Sequence, residues 1–160
     1  MGFFGSKKGS IISENFMLFQ DVAQFKKGWS IEVALYDDHL TLTAIGSKLS
    51  PIDLNYAKIT DVYHGIETEL VEKKKSVIGR ALVGGALFGG VGAVVGAVSG
   101  SGSKQAKEYK TYFIISYKAS DGTDAFLQFE DVRKYKGDKL AKKLQELCGI
   151  DNKSNEVTEL

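Results

Sequence analysis

Residues 28–44, GWSIEVALYDDHLTLTA, alternate apolar and polar side chains on either side of an Asp37-Asp38 pair. Ile31, Val33 and Leu35 recur at every second position, and beyond the acidic pair Leu40 and Leu42 do the same against Thr41 and Thr43. Period two marks a strand with one buried face, and adjacent Asp residues favour a turn because their short carboxylates bond nearby backbone. The stretch predicts a β-hairpin. Downstream, Ser50-Pro51 punctuates a crossing and residues 52–56 supply a short strand. Residues 59–72 read as one long strand, with Val62, Ile66 and Leu70 on one face and Asp61, Glu67 and Glu69 on the solvated other; Gly65 marks an expected bulge.

Further along, residues 109–119 (YKTYFIISYKA) and 123–129 (TDAFLQF) flank Asp121-Gly122. An Asp-Gly pair between apolar runs is the strongest short-range hairpin signal, because both residues accept the positive φ of a tight turn. Asp138 is then placed to cap a helix whose Leu140, Leu144, Leu147 and Cys148 share one stripe, with Gly149 ending it. Residues 1–15 and 151–160 are expected to be mobile ends. In the first, Gly2 and Ser6 match the M-G-x-x-x-[ST] myristoylation pattern, but the plainer reading is a free N-terminal segment carrying Phe3 and Phe4.

Into this order of strands, residues 81–98, ALVGGALFGGVGAVVGAV, insert eighteen residues without a charge or a hydrogen-bonding side chain. Six are Gly, each costing a helix about 1 kcal/mol relative to Ala, so roughly 6 kcal/mol must return from packing. A helical reading shows the source. Ala81, Gly85, Gly89, Gly92, Gly96 and Gly100 fall at steps of three and four on one face, a stripe of bare backbone that lets another helix approach closely. A flexible linker would be richer in Ser and polar residues, as residues 99–103 (SGSGS) are.

The chain of 160 residues suits one domain, 16–150, interrupted by an insert at 76–104. A formal net charge of +1 argues neither for nucleic acid nor for an acidic partner. Arg133, Lys134 and Lys136 around Tyr135, with Lys142 and Lys143, read as a solvated surface. A lone cysteine, Cys148, leaves no intramolecular disulfide. Without a signal-peptide pattern, a cytoplasmic compartment is expected.

The pattern resembles the bacterial pleckstrin-homology-like domains, antiparallel sandwiches closed at one end by a C-terminal helix. The resemblance rests on GWSIEVALYDDHLTLTA, NYAKITDVYHGIETEL, YFIISYKASDGTDAFLQFE and KLAKKLQELCG. Separately, SVIGRALVGGALFGGVGAVVGAVSG resembles the glycine-zipper segments of small membrane-associated proteins. The fold so implied is a mainly β sandwich or barrel with a C-terminal amphipathic helix and an inserted Gly/Ala-rich helical segment. The function implied is that of a binding or scaffolding module, since this fold commonly serves lipid headgroups or peptides.

If the strands flanking the insert belong to one sandwich, both ends of the insert lie on the same side of any membrane, which excludes a single span. Eighteen residues make only about 27 Å of helix, and halves broken at Gly89-Gly90 about 14 Å each, against a hydrocarbon core of about 30 Å. A re-entrant hairpin, an in-plane helix and helices buried against copies of themselves remain open. Lys73, Lys74, Lys75 and Arg80 before the run, and Lys104 and Lys107 after it, suit contact with anionic headgroups, with Leu87 and Phe88 at the bilayer. The same lysines equally serve to keep a loop solvated.

An enzyme is not expected. His39 abuts the Asp37-Asp38 turn, and His64 reads as a satisfied interior group or one set at the Gly65 irregularity; neither has metal-ligand spacing. No G-x-S-x-G or P-loop G-K-[ST] is present, and no cofactor or metal is expected. The expected partners are a second copy of the chain and membrane lipid at the inner membrane face, or, for a soluble scaffold or peptide adaptor, subunits that bury the apolar run between them.

Overall fold

The computed structural model describes residues 9–66, 69–70, 76–83, 87 and 110–150. Seven strands, β1 (Ile12–Leu18), β2 (Ser30–Leu35), β3 (His39–Ala44), β4 (Ile52–Asn55), β5 (Ile59–Ile66), β6 (Thr111–Lys118) and β7 (Asp124–Glu130), form one antiparallel sheet in the order β4-β3-β2-β1-β7-β6-β5. Helix α1 (Val77–Val83) lies between β5 and β6 in the chain, and helix α2 (Asp138–Cys148) follows β7. Two meanders, β1 to β4 and β5 to β7, meet where β1 pairs with β7 over only Met17↔Glu130 and Leu18↔Phe129. That short seam lets the sheet fold over on itself into a pleckstrin-homology-like sandwich with a C-terminal helix.

The hairpins form where the alternation placed them. Ile31, Val33, Leu35, Leu40 and Leu42 are all buried. Gly122 takes φ 86° in the second turn, and Asp121 Oδ1 accepts from both Thr123 N (3.0 Å) and Thr123 Oγ1 (2.6 Å). These bonds, the hydroxyl first, hold the Asp121 carboxyl below its ordinary range. Phe16, Phe113 and Phe129 pack at the centre with ring centroids 4.7 to 5.8 Å apart. Leu140, Ala141 and Leu144 of α2 seal them from one end. Gln145 Nε2 donates to Val62 O at 3.0 Å, so the helix also satisfies a carbonyl on the edge strand β5. Gly149, at φ 73°, ends α2 by donating to the carbonyls of Gln145 and Glu146.

Four expectations need correction. The sheet begins at Ile12, inside the segment set apart as residues 1–15, because Phe16 and Leu18 are core residues and draw the preceding turns into pairing with β2. The strand expected to reach residue 72 stops at Ile66, where the Tyr63 hydroxyl takes the Ile66 carbonyl; Leu70 then packs with Tyr63, not with Val62. The irregularity of β5 lies between Ile59 and Asp61, while Gly65 pairs in register with Tyr112. Glycine is needed there because a Cβ would stand 2.7 Å from the Tyr63 hydroxyl. Finally, Asp138 is not the cap of α2: Gly137 holds that position without a side-chain bond, and Asp138 is the first helical residue. A Cβ at Gly137 would lie 2.4 Å from the Phe16 ring and 2.7 Å from Asp131 Oδ2.

Candidate functional site

β6 reads TYFIISYK, and every residue from Thr111 to Ser116 is buried. A strand wet on one face would alternate, so burial at both parities requires a layer on each side. Phe113 and Ile115 face the sandwich core. Tyr112 and Ile114 instead join Tyr63 of β5 in a second cluster, completed by Leu70, Ile78, Leu82 and Leu87, with Phe19, Ala81 and Phe126 partly buried against it. Its cover is the opening of the glycine-rich insert: Ile78 and Leu82, one turn apart on α1, press onto the outer face of β5 and β6.

The start of α1 is bonded to the same sheet. Ser76 Oγ accepts from Gly79 N at 2.9 Å, an N-cap bond, and Arg80 N donates to Ser76 O at 2.9 Å. Asp61 of β5 accepts from Val62 N through Oδ1 at 2.9 Å and from Ile78 N through Oδ2 at 3.2 Å. A carboxylate at this position satisfies a helix donor that would otherwise lack a partner and favours the positive end of the helix. Asp61 is thus half-buried and not on a solvated face.

The expected contact residues separate accordingly. Ala81 is half-buried against the chain's own sheet. Leu87, expected at the bilayer, is fully buried in the second cluster, because the apolar outer face offers it protein cover. Arg80 is exposed on α1. Gly85, Gly89, Gly92, Gly96, Gly100, Lys73, Lys74, Lys75, Phe88, Lys104 and Lys107 lie outside the described residues. Asp61, Ser76, Tyr63 and Tyr112 were not singled out as contacts of the insert. For Tyr112 the signal is the unbroken apolar run at 112–115, which leaves Tyr112 and Ile114 on an outer face in need of cover; Asp61, Ser76 and Tyr63 carry no such local signal.

A second constellation joins the base of α2 to β5. His64 Nε2 bonds Asp131 Oδ2 at 2.8 Å, Gly137 N donates to the same oxygen at 2.7 Å, and His64 Nδ1 lies 3.6 Å from Asp138 Oδ1. The His64 side chain is 6% exposed and that of Asp131 is wholly buried, with Oδ1 lacking a partner. This brace ties three elements together and holds no nucleophile. Among the described residues, no group of three or more His, Cys, Asp or Glu side chains is arranged to hold a metal ion. His39 stacks on Tyr36 and meets Asp38 at 2.7 Å, which holds the Asp38 carboxyl low. Arg133, Lys142 and Lys143 pair with Glu14, Asp138 and Glu146.

Comparison with protein families finds a match over residues 19–129 to a model described as a glycine zipper containing PH domain. The chain belongs to this family. The match spans β2 to β7 of the glycine-zipper PH domain together with its insert, while β1 and α2 complete the sandwich on either side. No curated protein matches the chain. Among the described residues of this PH domain, no helix is long and apolar enough to cross a membrane.

Proposed function

We propose that this glycine-zipper PH domain is a non-enzymatic protein that assembles with copies of itself through the insert and attaches to the cytoplasmic face of a membrane. The observation that carries the reading is the pairing of Ile66 with Thr111: the insert leaves and re-enters the sheet at directly opposed residues. An excursion with its two ends at one point has both ends on the same side of any bilayer, so its apolar run is fit for a re-entrant or in-plane contact and not for a single span. The glycine stripe of Gly85, Gly89, Gly92, Gly96 and Gly100 follows a base anchored by Ile78 and Leu82, so a folded scaffold carries the proposed assembly surface. Lys73, Lys74, Lys75, Arg80, Lys104 and Lys107 supply cations on both flanks for anionic headgroups.

Gly92→Leu combined with Gly96→Leu fills the stripe. The expected result is loss of assembly in sedimentation, with the circular dichroism of the sheet unchanged; assembly retained by the double variant overturns the zipper reading.

The burial of Ile78, Leu82 and Leu87 in protein favours a second reading, in which the rest of the apolar run is also covered by protein, between subunits of a soluble scaffold or peptide adaptor. The two part on one observable. The membrane reading requires detergent or lipid to keep the full chain in solution, and the scaffold reading does not.

A further inference from the structure

The side of α1 that meets the sheet is also where the small-residue stripe begins. Ile78, Ala81 and Leu82 are three and four positions apart, so they share one side of the helix, and they pack in one cluster with Tyr63, Tyr112 and Ile114 of the sheet. Arg80, on the opposite side, is exposed. With about 3.6 residues per turn, Gly85 and Gly89 of the stripe fall between Ala81 and Leu82 on the docked side of a continuing helix. One helical surface therefore has two possible partners, the sheet of its own chain and a second copy of the insert.

The two partners compete. A small-residue stripe works by letting another backbone come close, and at Ala81 that space is taken by the cluster on the sheet. Ile78 and Leu87 are wholly buried and Leu82 nearly so, which leaves none of them apolar surface to offer a second copy. The docked layer is also separable. Its cluster shares no member with the sandwich core, so α1 can leave the sheet, giving up the bond from Ile78 N to Asp61 Oδ2 at 3.2 Å, while the sandwich stays folded. We propose that the outer face of β5 and β6 is an autoinhibitory dock: it withholds α1 from a second copy, and self-assembly proceeds from the released form. The inference rests on the assembly reading above and adds its control. Where only the released form assembles, apparent affinity between copies is reduced by the released fraction, so loosening the dock strengthens assembly.

The test alters the sheet and leaves the sequence of the insert untouched. Ile114→Ala removes three side-chain carbons from the dock, and Asp61→Ala removes the acceptor of Ile78 N. In the full-length chain, hydrogen exchange at the Arg80 amide reads the opening of α1, and sedimentation velocity over a concentration series reads the midpoint of assembly. The expected result is Arg80 exchange about a hundredfold faster in Ile114→Ala and about tenfold faster in Asp61→Ala, with the assembly midpoint at least about tenfold lower in both. Adding Gly92→Leu and Gly96→Leu to Ile114→Ala should return the chain to single copies, which separates assembly through the stripe from clumping of the uncovered sheet. Faster Arg80 exchange with an unchanged or higher midpoint overturns the inhibition and leaves assembly standing. Unchanged Arg80 exchange in both variants overturns the dock, and assembly that survives the two leucines overturns the stripe as its route. If Ile114→Ala also speeds exchange in β2, the sandwich itself is damaged and Asp61→Ala decides. A native chain and variants that all sediment as single copies at every concentration refute the assembly reading, and the inference with it.

Discussion

Replacing Ile78 by alanine asks whether the base of the insert is a layer of the domain or merely lies beside it. Ile78 is fully buried, and its cluster shares no member with the sandwich core. The change deletes three carbons at about 0.8 kcal/mol each and leaves a cavity, a total of about 3 kcal/mol. Since the loss falls on one face of α1, it lowers the cost of detaching α1 and leaves the sandwich alone, a shift of about two orders of magnitude in the local opening equilibrium. Hydrogen exchange reads this directly. The Arg80 amide, bonded to Ser76 O at 2.9 Å, should exchange about a hundredfold faster in the variant, or reach its unprotected rate, while the amides of β2 keep theirs. An unchanged Arg80 amide would refute the docking contact. Equal acceleration in β2 would refute the separation into two cores.

His64→Ala leaves Asp131 buried with one fewer bond, and should cost about 3 kcal/mol in urea denaturation; a loss below about 1 kcal/mol would mean the brace is not structural. Gly137→Ala forces a methyl into the space of the Phe16 ring and Asp131 Oδ2, and should destabilise by about 1 to 3 kcal/mol, measured as a lower denaturant midpoint at constant m. Burial pushes the Cys148 thiol from 9.0 up to about 11. The folded chain therefore keeps that proton over a range in which the unfolded chain loses it, so stability falls as pH rises from 9.0 toward about 11. Near pH 8, iodoacetamide should alkylate Cys148 about a hundredfold more slowly in the folded protein than in urea, and equal rates would contradict its burial.

The parts of the fold written in local pattern were legible. Ile31, Val33 and Leu35 against Leu40 and Leu42, the Asp121-Gly122 turn, and the stripe of Leu140 and Leu144 each need only near neighbours to declare strand, turn or helix. β1 was hidden because its exposed Asn15 and half-buried Ser13 and Glu14 blur the alternation that Phe16 and Leu18 continue. The docking of α1 was hidden for another reason: it is decided by Tyr63, Tyr112, Ile114 and Phe126, brought together only once β5, β6 and β7 have paired. Asp131 reads as a surface carboxylate until His64, sixty-seven residues away, comes within 2.8 Å. Of the expected contact residues, Leu87 was misplaced because an apolar side chain next to a membrane-like run looks the same whether lipid or its own sheet covers it.

Flotation of the full-length protein with anionic liposomes, at low and at high salt, tests the membrane attachment most directly. Attachment through apolar side chains predicts flotation that survives high salt, because burial of apolar surface is not screened. Flotation at low salt alone would reduce the contact to the lysines, and a protein that remains in solution without detergent and never floats would contradict the account and leave the soluble scaffold in its place.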